Sequence, residues 1–103
     1  MEKMIIFYRN TTEQEMANAL ADKYIPYADC IATSSNKRIL IDKKNEHAIE
    51  VRPFKTESSA RGLKADFVLI PKDNDLLTSY FHVFIGITRG NQDALMFYSD
   101  GRD

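Results

Sequence analysis

Two arginines each close an apolar run: Arg9 follows Ile5-Ile6-Phe7-Tyr8, and Arg89 follows Val83-Phe84-Ile85-Gly86-Ile87-Thr88. A guanidinium is permanently charged and offers a planar fork of donors, so at the end of a buried element it is suited to gripping phosphate. Arg9 would stand at the carboxyl end of a buried strand, where α/β sheets hold ligands. An ordinary surface arginine at a strand end fits the same pattern. For Arg89, contact with a helix carboxyl terminus, worth about 0.3–1 kcal/mol, is a sufficient structural reason. Between them lies the polar stretch Thr56-Glu57-Ser58-Ser59-Ala60-Arg61-Gly62-Leu63-Lys64, which runs into a strand-like segment, Asp66-Phe67-Val68-Leu69-Ile70. A glycine and several hydroxyls there let backbone N–H groups approach a phosphate closely. A plain turn with Arg61 and Lys64 solvated would have the same composition.

Other chemistries are missing from the sequence. No G-x-x-x-x-G-K-[ST] occurs among the four glycines, so the chain has no phosphate-cradling loop of its own. One cysteine, Cys30, and two distant histidines, His47 and His82, cannot supply a four-ligand zinc site. His82 lies in an apolar stretch and reads as a packed or surface residue. Nothing in the spacing supports a Cys30–His nucleophile. Self-contained catalysis is not expected.

The 103 residues suffice for a single domain, 1–103, with 44% hydrophobic and 28% charged residues, which excludes collagen-like, disordered and disulfide-scaffold classes. A lone cysteine makes no internal bridge and suits a reducing compartment. No apolar run reaches the ~20 residues of a membrane span, and the start is too short and acidic for a signal peptide, so the expectation is a cytoplasmic chain without membrane contact. Charge is uneven. Residues 1–36 carry three Lys/Arg against five Asp/Glu, 37–72 carry nine against five, and 73–103 carry two against five. A basic middle between acidic ends suits a surface that meets phosphate, or merely a solvated face.

The elements that must position these residues follow from hydrophobic period. Met4-Ile5-Ile6-Phe7-Tyr8 reads as a strand buried on both faces. Thr12 with Glu15 fits a capping box, and Met16, Ala17, Leu20, Ala21, Tyr24 and Ile25 form a helical stripe stopped by Pro26. A short strand is predicted over 28–33. Two alternating strands, 38–42 and 47–54, flank the turn Lys43-Lys44-Asn45-Glu46. Residues 66–70 form another buried strand. A single helix capped from Asp73-Asn74-Asp75 should run to Gly90, before a last strand over 95–98 and a frayed end at 100–103. Strands alternating with helices predict a three-layer α/β sheet, largely parallel.

The three blocks, in this order, resemble the second RecA-like domain of superfamily 1 DNA helicases of the UvrD/Rep kind. Residues 5–10 with the downstream Ile25-Pro26-Tyr27 look like that family's motif IV, 56–70 like motif V, and 82–90 like motif VI. The resemblance covers most of the chain and is weakest over 30–50. It implies a RecA-like, P-loop-NTPase-type fold without a P-loop. It also implies that Tyr8 stacks on adenine, that Arg9 and Arg89 both reach the γ-phosphate of ATP, and that Gly62 and Lys64 lie on the nucleotide side. Thr56, Ser58 and Arg61 would lie along single-stranded DNA. An arginine on the transferred phosphoryl group neutralises charge that develops there, and its loss costs orders of magnitude in rate.

The sequence also departs from the family. Ser58 stands for the usual His, Arg61 for Lys, Lys64 for Glu and Gly90 for Ala; the Lys64 change reverses a charge beside the expected nucleotide. The large insertion usual between motifs IV and V is absent. ATP and Mg²⁺ would be held only together with a first, P-loop-bearing helicase domain, supplied in cis or in trans, so the chain alone should not hydrolyse ATP. Two function classes follow. One is the second motor domain of a DNA helicase; the other is a stand-alone, non-catalytic adaptor or inhibitor that keeps the fold and binds a partner. A free-standing binder of single strands is a weaker third reading, because only Phe54 and Phe67 are aromatic between 37 and 72.

Overall fold

The computed structural model describes residues 1–34 and 36–99; the expected fraying of 100–103 lies outside them. The elements are β1 (Glu2–Tyr8), α1 (Thr11–Tyr24), β2 (Cys30–Ser34), β3 (Lys37–Asp42), β4 (His47–Pro53), α2 (Glu57–Ala60), β5 (Phe67–Pro71), α3 (Asp75–Ser79), α4 (Phe81–Ile87) and β6 (Leu95–Tyr98). They build one six-stranded sheet in the order β2-β3-β4-β1-β5-β6. Strands β4, β1, β5 and β6 run parallel, whereas β2 and β3 pair antiparallel with their neighbours. The sheet is therefore mixed, less parallel than expected. The short turns before β3 and β4 leave no room for the crossover a parallel pair needs.

β1 lies centrally and sends alternate side chains to two cores, as a doubly buried strand must. Ile6 and Tyr8 pack with Ala17, Ala21 and Ile25 of the α1 side, while Ile5 and Phe7 pack with Ala60, Leu77, Val83, Phe84 and Ile87 from α2, α3 and α4. Helices thus cover both faces. The apolar stripe of α1 is narrower than predicted, since Tyr24 is half exposed.

Two boundaries differ from expectation. The cap of α1 is Asn10, whose side chain accepts the Glu13 N–H at 2.9 Å, two residues before the predicted Thr12. Both Asn10…Glu13 and Thr12…Glu15 have the capping spacing, and the earlier one wins because β1 ends at Tyr8. The single helix expected up to Gly90 is two, with Tyr80 as the junction (φ −95°, ψ 25°). Tyr80 stacks obliquely on Phe54, ring centroids 5.1 Å apart, and the Thr78 and Ser79 hydroxyls bond back to Asp75 and Leu76 carbonyls, which loosens the turn.

Candidate functional site

At the carboxyl ends of β1 and β5, α1 departs toward one face of the sheet and α3 toward the other. That is the crevice where open α/β sheets bind ligands. Here the protein's own side chains occupy it. Glu13, buried at the start of α1, accepts the Arg9 N–H at 2.8 Å through one carboxylate oxygen and the Asn74 side-chain N–H at 2.7 Å through the other. A carboxylate thus fills the place beside a helix N-terminus that would suit a phosphate. Tyr98 donates its hydroxyl to the Phe7 carbonyl. Burial pushes the Tyr98 phenol well above its usual range, with smaller contributions from the charges of Glu13 and Tyr8. Arg9 lies over the same rim, its Nη1 donating to the Phe54 carbonyl at 3.1 Å and the Lys55 carbonyl at 3.4 Å.

Tyr8 cannot stack on a base in this arrangement. It is 5% exposed, and its hydroxyl donates to the Asn36 carbonyl. Thr56 and Ser58 form the start of α2: Thr56 Oγ1 accepts the Ser59 N–H at 3.1 Å and lies 3.2 Å from Ser58 Oγ. Their hydroxyls are engaged locally because the loop expected at 55–65 contains a capped helical turn.

Residues 54–66 then cross over β1 to the opposite rim, where the second and third blocks meet. Gly62 takes φ +88°, a conformation that a side chain would strain. Lys64 Nζ reaches the Gly86 carbonyl at 3.4 Å, the Ala65 N–H binds the Ile87 carbonyl at 3.0 Å, and Arg89 Nη1 stands 3.7 Å from Asp66. Arg61, Gly62, Lys64, His82 and Gly86 line an open cleft of about 190 Å³. Glu57 faces it, 2.5 Å from Arg61 and 3.4 Å from His82. The hydrogen bond from Arg61, aided by His82, holds the Glu57 carboxyl below the ordinary carboxylate range.

The two arginines do not converge. Asp66, the partner of Arg89, also accepts the Lys3 N–H at 2.8 Å, which fixes Arg89 at the amino rim. Lys3 and Arg9 are separated by the length of β1, about 20 Å of extended backbone. That span is longer than one γ-phosphate bridges, and in this arrangement one arginine stands at each rim. The cause is topological. Arg9 follows β1, whereas Arg89 ends α4, which runs back along the sheet to the start of β5.

The amino rim also holds a feature that the sequence showed as a helix stop and as part of the motif IV resemblance, with no site residue assigned to it. Tyr27 is 90% exposed and Tyr24 50%, on either side of Pro26. A Tyr-x-Pro-Tyr spacing at the end of a helix was its available signal. Among the described residues there is no group of three or more His, Cys, Asp or Glu placed to hold a metal, and no helix is long and apolar enough to cross a membrane. No protein-family model matches the chain, and neither a curated protein nor a solved structure matches it.

Proposed function

We propose that the chain is a non-catalytic adaptor that binds a partner protein, on an α/β scaffold resembling the second domain of a helicase motor. The observation carrying this reading is the separation of Arg9 from Arg89, with Glu13 seated where a phosphate would lie. On this reading the described residues offer neither a nucleotide cradle nor the paired arginines that a motor's second domain lends to a P-loop partner. A P-loop-bearing motor domain, or another enzyme of nucleic acids, is the kind of partner that the sequence resemblance suggests. The test is reconstitution with a P-loop-bearing first domain, Mg²⁺, ATP and single-stranded DNA. The adaptor reading predicts a complex that forms with or without ATP and no ATPase gain that depends on Arg9 or Arg89. Hydrolysis that appears on mixing and collapses with Arg89→Ala would overturn it.

A second reading has its own support. The cleft lined by Arg61, Lys64 and His82 gathers cationic or protonatable groups from two distant stretches of sequence, as a contact to the backbone of single-stranded DNA would require. Affinity for an oligonucleotide that falls steeply with salt and weakens in Lys64→Ala would favour it; a flat salt response would remove it.

A further inference from the structure

The α1–β2 connection holds its aromatic rings out on a fixed frame. Ile25 is buried beneath it, at 3% exposure, and Pro26 restricts the next dihedral. Beyond Tyr27, the Asp29 N–H donates to the Ile41 carbonyl at 2.8 Å, and its carboxylate accepts the Lys43 N–H at 2.7 Å. The loop is thus tied at both ends while Tyr27 stands in solvent. Tyr24, Pro26 and Tyr27 line a groove of about 390 Å³ together with Asp29, Asp42, Lys44 and Asn45. Asp42 is held by Asn45 through both its backbone N–H, at 3.2 Å, and its side-chain N–H, at 2.8 Å. These bonds from Asn45 keep its carboxyl below the ordinary range, with a smaller contribution from His47.

We infer that this groove docks a proline-rich segment of a partner in the polyproline II conformation, with a basic residue of that segment beside Asp29 and Asp42. Such a helix has three residues per turn and no internal hydrogen bonds. Its proline rings pack between aromatic side chains, and its free carbonyls accept hydrogen bonds from donors such as tyrosine hydroxyls. The groove supplies both, on a loop that need not be ordered on binding, which lowers the entropic cost. Charge selects the flanking residue: two carboxylates against the single ammonium of Lys44 leave a net negative site. The inference rests on the adaptor reading and names the chemistry of what is bound.

The experiment uses the full chain and a fluorescent decapeptide with two Pro-x-x-Pro turns and a terminal Arg. Anisotropy should show saturable binding, weakened at least tenfold by Tyr27→Ala and by less in Tyr27→Phe, which keeps the ring and loses the hydroxyl. Asp29→Asn should weaken the arginine peptide several-fold and leave a peptide ending in Gln unaffected. Tyr27 is so exposed that its replacement leaves the fold intact, which far-ultraviolet circular dichroism checks. Absent binding, or equal binding of a peptide with Ala for every Pro, overturns the inference. So does a partner complex that survives Tyr27→Ala, which leaves the adaptor reading standing; failure of the adaptor reading itself appears separately, as Arg89-dependent ATPase on reconstitution.

Discussion

The two rims of the parallel strands share a sheet and differ in what their side chains are doing. At the carboxyl rim, Glu13, Asn74, Arg9 and Tyr98 hold one another or the backbone, and what stays open beside Glu13 and Tyr98 is a small cleft of about 120 Å³. At the amino rim Arg89 and Lys64 are held loosely, Arg89 3.7 Å from Asp66 and Lys64 3.4 Å from a carbonyl, and two tyrosines face solvent. Ligand sites in open α/β sheets usually lie at carboxyl ends. Here the side chains at that end hold one another, and the exposed tyrosines lie at the other.

This contrast can be broken most forcefully at Glu13. Glu13→Ala would leave the Arg9 N–H and the Asn74 amide without partners, and urea unfolding should show a loss of about 1–3 kcal/mol. Glu13→Gln, which keeps an acceptor, should lose less. A neutral result for Glu13→Ala would mean that the rim is not internally held. Asn10→Ala, removing the cap beneath it, should cost about 1 kcal/mol.

Alkaline pH sharpens the contrast next. The folded state raises the Tyr98 phenol above its unfolded value, so the native chain binds more protons there once pH exceeds the unfolded value near 10. The contribution is complete below that pH and fades as pH rises above it. Thermal melts should therefore show an alkaline loss that Tyr98→Phe reduces, at a cost of about 1 kcal/mol near neutrality for the missing bond. The amino rim should respond least. Arg89→Ala should change stability by less than about 0.5 kcal/mol, as exposed substitutions do. Glu57, whose carboxyl is lowered in the folded state, contributes above the ordinary carboxylate range and loses that contribution as acidification passes through its depressed value.

Local pattern carried much of this fold into the sequence. The β1 run, the hairpin around Lys43 and Lys44, the stop at Pro26 and the last strand were legible because each depends on neighbours in the chain. The junction at Tyr80 was hidden, since it depends on Phe54, far away in sequence. Glu13 was equally obscure: its partner Asn74 lies on another element, and two overlapping capping spacings competed. Of the candidate site, the meeting of Lys64 with Gly86 and of Arg89 with Asp66 agrees with the two blocks being neighbours. The placement of Arg9 does not follow from its spelling. An arginine after an apolar strand marks a strand end, and only the path of the crossover over 54–66 decides which other residues share that end.

The separation of the two guanidinium groups is best measured by double electron–electron resonance, with spin labels at Arg9→Cys and Arg89→Cys in a Cys30→Ser background. The account predicts a distribution centred at or beyond about 20 Å, the span of β1, and unmoved by ATP, Mg²⁺ or single-stranded DNA. A population in which the labels close to within one phosphate's reach, or collapse together on adding ATP, would contradict it.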